Sequence, residues 1–184
     1  MKTFLLALFI LIVGCSPVPR TMTLRIPHMR QEQNLCVPTS AAMVLAYYGD
    51  DITPRQLKEL AGYREDFEGT YFSDMIAGLE KIGYKWQAKG FDLDHAGFEI
   101  GMQEIIRNIV DKRPVLVSTS SDEIGHTMVV VGYDNVRKVV ELMDPASTGS
   151  RTISYEKFES VWHEVTAFKN SNRWILVTWP KQPQ

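Results

Sequence analysis

One cysteine of this 184-residue chain stands where a helix is predicted to begin. Cys36 precedes Val37 and Pro38, and apolar residues then recur at helical spacing up to Gly49, which suits a helix with proline in its first turn. Unpaired N–H groups and the helix dipole favour a thiolate at such a place, and a thiolate is a good nucleophile at neutral pH. The alternative is a structural cysteine, because free cysteines are often small buried hydrophobes.

A thiolate nucleophile needs a group that moves protons, and His126 is the best placed histidine. It stands at the start of a strongly β-forming run, Thr127 to Tyr133, and Gly125 beside it leaves room for the ring to face a cleft. The other three histidines stand outside the predicted core: His28, His95 and His163. The alternative for His126 is an imidazole that is merely satisfied at a strand end.

Asp144 is the candidate for orienting that imidazole. A turn at Asp134-Asn135 would make an antiparallel hairpin and pair His126 with residue 143 or 144, within reach of the Asp144 carboxylate. Asp144-Pro145 also matches a common turn opener, so a purely structural aspartate is the alternative.

The elements that must position these side chains change character along the chain. Four helices are predicted first, near residues 37–48, 54–61, 73–82 and 99–111, with a short strand over 84–88. Strands follow near residues 114–118, 127–133, 136–143 and 174–179, with one helix over 155–162. Helices followed by a mostly antiparallel sheet indicate an α+β fold.

The composition is that of a globular domain and excludes several classes of protein. Basic and acidic side chains number 20 and 22, which gives a net charge of −2 and no broad surface for nucleic acid. Two cysteines are too few for a disulfide scaffold or a structural zinc site. Asp92, Asp94 and His95 form an acidic, solvated loop more readily than a metal site, so we expect no metal and no cofactor.

The N-terminus has the features of a secretory signal. A lysine precedes ten apolar residues, 4–13, a run too short to span a bilayer. Ile12-Val13-Gly14-Cys15 then resembles a bacterial lipobox, in which the cysteine is lipidated and the peptide is cut before it. We therefore expect a lipoprotein signal peptide at 1–14, a lipidated tether at 15–30 and a domain at 31–184. Otherwise Cys15 is an ordinary residue, free to pair with Cys36.

Cysteine, histidine and aspartate in this order resemble the papain-like cysteine peptidases. The branch that includes the peptidase domains of bacteriocin exporters, which cut leader peptides after double glycine, is the most similar. The resemblance rests on four stretches: Gln31 to Ser40, Met43 to Gly49, Gly125-His126 with its strand, and Asp144-Pro145-Ala146. It implies a papain-like fold, with N-terminal helices packed on the sheet, and a Cys36-His126-Asp144 triad.

The resemblance also implies an oxyanion donor. In papain-like sites a glutamine a few residues before the nucleophile donates to the oxyanion, and Gln31 fits this position best, with Gln33 as the alternative. One departure is Val37, because relatives usually carry glycine after the cysteine; a β-branched side chain there narrows the cleft or turns outward.

The expected function is hydrolysis of peptide bonds through a thioester, by a monomer held to a membrane by lipid. Its location is then the cell envelope, and Ser16 after the lipidated cysteine indicates the outer membrane where a cell has two. The alternatives are an amidase, deamidase or acyltransferase that uses the same triad, and a non-catalytic lipoprotein that binds peptides. With Cys15 lipidated and Cys36 acting as a thiolate, we expect no Cys15–Cys36 disulfide.

Overall fold

The computed structural model describes residues 17–64, 68–121, 124–163 and 172–181. The predicted signal peptide and Cys15 lie outside the described residues. The elements follow one another as β1 (Thr21–Thr23), α1 (Cys36–Tyr47), α2 (Pro54–Ala61), α3 (Phe72–Glu80), β2 (Trp86–Phe91), α4 (His95–Val110), β3 (Val115–Ser121), β4 (Ile124–Asp134), β5 (Val139–Met143), β6 (Ser150–Ser154), α5 (Tyr155–Val161) and β7 (Arg173–Thr178).

The seven strands form one sheet in which every pairing is antiparallel. The order is β2-β7-β3-β4-β5-β6, and β1 pairs with the far end of β4. Helices α1 to α3 come before most of the sheet in sequence, and α1 packs on β4. The predicted α+β class is confirmed.

Helix α1 is the buried helix of the fold. Nine of its residues, Val37 to Leu45, are buried, so it is apolar on nearly all sides rather than on one stripe. The hydroxyl of Ser40 donates to the carbonyl oxygen of Thr127 at 3.1 Å and so fixes α1 against the start of β4. Burial of the helix therefore fixes the position of its first residue, Cys36.

Local sequence explains how the second helix begins. Thr53 accepts a hydrogen bond from the backbone of Gln56, whose side chain accepts one from the Thr53 N–H, and Pro54 occupies the first helical position. Gly62 ends the helix with φ 87°, a conformation that glycine adopts without strain. These bounds match the prediction.

The segment assigned to a tether is the main correction to the sequence analysis. Residues 21–23 form strand β1, which pairs with residues 132–134 of β4. Leu24 and Ile26 are 6% and 7% exposed and belong to the core. Gly132 makes this pairing possible, since a Cβ there would lie 2.6 Å from the Thr23 hydroxyl. We call residues 20–31 the N-terminal arm; it belongs to the domain rather than to the tether.

The hairpin register was also predicted wrongly. The β4–β5 turn spans residues 135–138 instead of pivoting at Asp134-Asn135, and Lys138 has a left-handed φ of 53°. A bulge between Val130 and Gly132 changes the register by one residue, and the last pair is Val129 with Met143. His126 therefore has no partner on β5, and β5 begins at Val139 rather than Val136.

Two smaller differences concern α4 and β6. Helix α4 begins at His95, four residues before its predicted start, because Asp94 caps it by accepting a hydrogen bond from the Gly97 N–H at 2.7 Å. Strand β6 was missed, since its residues are mostly polar and exposed. No described helix is long and apolar enough to cross a membrane.

Candidate active site

The three residues named from the sequence as a triad meet at the N-terminus of α1. His126 Nε2 lies 2.8 Å from Asp144 Oδ1, and the His126 ring also hydrogen-bonds with the Cys36 thiol. Since Asp144 occupies Nε2, the nitrogen left for the thiol is Nδ1. The strand register does not produce this contact: β5 ends at Met143, and the chain then turns at Asp144-Pro145 toward the start of β4.

Cys36 is held at the start of α1 by the turn before it. Asn34 adopts a left-handed φ of 62°, and the Leu35 N–H donates to the Glu32 carbonyl oxygen at 3.2 Å. The sulfur is half-buried and unbonded to another cysteine, so the thiol is free. This position joins a helix N-terminus to the imidazole across the cleft.

The pKa shifts of Cys36 and His126 favour an ion pair of thiolate and imidazolium. Burial would raise the pKa of the Cys36 thiol, but hydrogen bonds from His126 and from the Thr127 and Val37 N–H groups outweigh it and lower that pKa below its usual value. Burial likewise opposes the charged imidazole, yet the bonds to Asp144 and Cys36 raise the pKa of His126 to about 9. Both shifts therefore favour a thiolate beside an imidazolium.

Asp144 is buried, with 5% of its surface exposed, and is held on several sides. Burial raises its pKa, but the hydrogen bonds from His126 and from the Ala146 N–H, which lies 2.9 Å from Oδ1, outweigh this and hold that pKa below its ordinary value. The Arg151 guanidinium lies 3.5 Å from Oδ2. A carboxylate in this setting remains charged and fixes the imidazole.

The N-terminal arm contacts the same aspartate loop. His28 Nε2 donates to the Asp144 carbonyl oxygen at 3.1 Å, and the Gln31 N–H donates to the Pro145 carbonyl oxygen at 2.8 Å. These bonds bring Gln31 beside the triad. Its side-chain Oε1 is buried without a hydrogen-bond partner among the described residues, so this end of the side-chain amide does not face solvent. Gln33, the alternative oxyanion donor, is exposed.

A profile of the peptidase C39-like family matches residues 23–169. The chain belongs to the peptidase C39-like family. The match begins inside β1, which agrees with an arm that is part of the domain. No curated protein matches the chain significantly.

Solved structures show the same fold at low sequence identity. A double-glycine motif protease from an AMS/PCAT transporter, solved in complex with the leader peptide, has 20% identity and a TM-score of 0.61, with 87% of this chain and 95% of that one covered. A C39-like peptidase from Bacillus anthracis has 16% identity, a TM-score of 0.63 and coverage of 90% and 100%. Xylellain, a cysteine protease from Xylella fastidiosa, has 11% identity, a TM-score of 0.61 and coverage of 91% and 88%. The predicted papain-like fold is confirmed, and the chain is a peptidase by family.

Three residues near the triad of this C39-like peptidase were not singled out from the sequence. His28 was assigned to the tether, and Arg151 lies on the strand that was missed. Ser40 stands in the Cys-x-Pro-x-Ser motif, so its spacing from Cys36 was a usable signal for the contact between α1 and β4. A long-range contact with the Asp144 carbonyl oxygen reveals His28, whereas Arg151 approaches Asp144 because the chain returns through β6.

Val37 and the acidic loop have structural positions. The Val37 side chain is 5% exposed and packs in the core, so it neither turns outward to solvent nor stands free in a cleft.

In the acidic loop, Asp94 caps α4, and His95 Nδ1 lies 3.0 Å from a Glu159 carboxylate oxygen. Within the described ranges no group of three acidic, histidine or cysteine side chains is placed to hold a metal ion.

Proposed function

We propose that this chain is a thiol-dependent peptidase with Cys36 as nucleophile, His126 as acid and base, and Asp144 as the group that orients the imidazole. The observation that carries the proposal is one imidazole in contact with both other groups: His126 Nε2 lies 2.8 Å from Asp144 Oδ1, and the ring hydrogen-bonds with the Cys36 thiol. The opposite pKa shifts of Cys36 and His126 support it, because they favour a thiolate beside a proton donor. Family membership implies a peptide substrate, and the similar double-glycine protease is solved with a leader peptide bound.

The proposed reaction has two acyl-transfer steps. The Cys36 thiolate adds to the carbonyl carbon, and the oxyanion accepts hydrogen bonds from the Gln31 side-chain amide and the Cys36 N–H. The intermediate collapses to a thioester as His126 Nδ1 gives its proton to the leaving amine. His126 then takes a proton from water, which attacks the thioester and releases the thiolate and a carboxylic acid that loses its proton to solvent. Asp144 orients the imidazole in both steps and stabilises the imidazolium whenever it is present.

A peptide library tests the reaction type. The purified protein should release new amino termini, the Cys36→Ala variant should not, and iodoacetamide should alkylate Cys36 at pH 7 faster than a free thiol. Ammonia release or acyl exchange without cleavage would instead show an amidase, deamidase or acyltransferase. Ordinary thiol reactivity together with an unaltered phenotype in Cys36→Ala would leave only a binding protein.

We propose further that the domain is lipid-anchored through Cys15 in the cell envelope and works as a monomer. The lipobox-like Ile12-Val13-Gly14-Cys15 after the apolar run supports the anchor. Replacing Cys15 with serine should move the protein from the membrane fraction to the soluble fraction. An unchanged distribution would refute the anchor while leaving the proposed chemistry intact.

A further inference from the structure

The chain enters the folded domain at one end of β4, and the Cys36 site lies at the other end. Thr21 pairs with Asp134, the last residue of β4, and the Asn135 N–H donates to the Arg20 carbonyl oxygen at 2.8 Å. His126 stands eight residues before Asp134 on the same strand. At a rise of about 3.3 Å per residue, roughly 26 Å separates the two ends.

The β4–β5 turn beside this entry point exposes an apolar side chain among cations. Val136 is 68% exposed, and Arg137, Lys138 and the adjoining Arg20 are exposed as well. We call these four residues the basic turn.

The acidic groups near the basic turn do not cancel its positive charge. The Asp134 carboxylate accepts hydrogen bonds from the N–H groups of Val136 and Arg137, both at 2.8 Å, so it is turned into the loop. On α5, which packs beside the turn through Tyr155, Glu156 is exposed next to an exposed Lys157. An apolar tip with surplus cations is complementary to an anionic phospholipid surface.

The length of the tether places this surface near the bilayer. Five residue steps separate Cys15 from Arg20, which at full extension span at most about 18 Å. We propose that the basic turn is the membrane-facing surface of the anchored domain and contacts anionic phospholipid, which holds the Cys36 site on the side away from the bilayer. This inference rests on the proposed anchor at Cys15. The substrates are then peptide segments in the aqueous phase rather than segments embedded in the membrane.

A depth measurement on the full chain, processed by the cell and reconstituted in vesicles, tests this orientation. A Cys36→Ala background leaves one labelled thiol, introduced by Val136→Cys or, as the matched control, by Tyr63→Cys. Tyr63 is 77% exposed, and its ring centre lies 5.3 Å from the Lys58 ammonium, which also donates to the Glu68 carbonyl oxygen. Glu68 in turn contacts Asn34 beside the Cys36 site. In vesicles of phosphatidylglycerol and phosphatidylcholine that contain a quencher lipid, the dye at 136 should be quenched and the dye at 63 should not.

Charge reversal and lipid composition give the deciding outcomes. Arg137→Glu with Lys138→Glu, or vesicles of phosphatidylcholine alone, should abolish most of the quenching at 136. Equal quenching at 136 and 63, or quenching at 136 that is the same with and without anionic lipid, would overturn the orientation. Mass spectrometry of the purified chain reports the anchor separately. If Cys15 carries no acyl group, the anchor fails, and the turn is then tested with added vesicles after Cys15→Ser has removed this second thiol. Charge-dependent quenching at 136 supports the surface, and its absence overturns it.

Discussion

At the Cys36 site the position of one proton sets the reactivity. The thiol pKa lies below its usual value and the imidazole pKa at about 9, so between these limits the sulfur is ionised while His126 keeps its proton. Because the two groups are in contact, the limits belong to the pair. Asp144 helps to raise the imidazole pKa, because it binds Nε2 on the opposite side of the ring.

A bell-shaped pH dependence follows from these shifts. Activity should rise as the Cys36 thiol loses its proton, below the usual thiol pKa, and fall near pH 9 as the imidazolium loses its own. Peptide cleavage measured across pH checks both limits, and the iodoacetamide rate across pH checks the limit set by the Cys36 thiol. Asp144→Asn should move the alkaline limit downward, since it removes the carboxylate that raises the His126 pKa. An alkaline limit that stays in place would contradict the assigned role of Asp144.

Gln31 and Gln33 provide a matched pair of substitutions. Gln31→Ala should lower kcat by about 10² to 10³ with little change in KM, because an oxyanion donor acts mainly in the transition state. Gln33→Ala should leave both unchanged, since that side chain is exposed. Steady-state kinetics on one peptide substrate makes the comparison, and a reversal of the two effects would transfer the role to Gln33.

Arg151 offers a milder perturbation of the same site. Its guanidinium is half-exposed and lies 3.5 Å from Asp144 Oδ2, so Arg151→Met should reduce kcat/KM by no more than about fivefold. The alkaline limit should move upward, because a cation near the imidazolium is lost. The kcat/KM profile across pH checks this, with Arg137→Met in the distant turn as the control. A downward shift would mean that Arg151 acts mainly through the structure of β6.

The sequence identified the reactive residues of the site better than the segments that hold them in place. Helical spacing after Cys36 and the β-forming run after His126 are local signals, and they predicted where both residues stand. The contact with Asp144 was predicted from a register that is wrong, and it forms because the chain turns at Asp144-Pro145. The contact of Asp144 with His28 joins positions 116 apart in sequence. Arg151 lies seven residues after Asp144, but on a strand whose mostly polar, exposed residues gave no signal.

At the scale of elements, the N-terminal arm is the main departure from the predicted organisation. Three prolines and several polar residues masked a strand that extends only from Thr21 to Thr23. Such a short strand has too few residues for a clear alternation, and its pairing depends on Gly132, more than a hundred positions away. The helices were predicted within a few residues because capping and stop residues are local in sequence.

Gly132→Ala should detach the arm. Its Cβ would lie 2.6 Å from the Thr23 hydroxyl and 2.8 Å from the Met22 carbonyl oxygen, so β1 must move. We expect faster proteolysis between residues 20 and 31 and lower kcat, since the arm carries Gln31. Limited proteolysis and kinetics measure both effects. Gly149→Ala, where no atom lies within 4 Å of the added Cβ, should change neither; normal protection in Gly132→Ala would show that β1 adapts.

At the scale of the molecule, aromatic packing joins α4, α5 and β7. Trp162 is fully buried, stacks on Phe158 with ring centres 5.0 Å apart and donates from Nε1 to the Trp174 carbonyl oxygen at 3.0 Å. Gly101 of α4 allows the indole to approach, because a Cβ there would lie 2.5 Å from the ring. With Cys36 unpaired, stability of the described domain depends on packing of this kind.

Phe158→Ala should therefore destabilise the whole domain. Removal of a fully buried phenylalanine costs about 3–5 kcal/mol of unfolding free energy, through lost burial and the cavity left against Trp162. Urea unfolding measures the change, and the exposed Val136→Ala should stay within about 0.5 kcal/mol of the parent protein. A loss at Phe158 as small as that at Val136 would mean that α5 contributes little to the cooperative core.

The arm also determines where the gene can be shortened for expression. A recombinant chain that starts at Gln31 would lack β1, leaving the backbone of residues 132–134 without its partner on that side. Unpaired sheet edges recruit strands from other molecules, and Leu24 and Ile26 would no longer cover the core. We expect such a chain to form inclusion bodies, whereas one that starts at Pro17 should stay in solution at the same concentration.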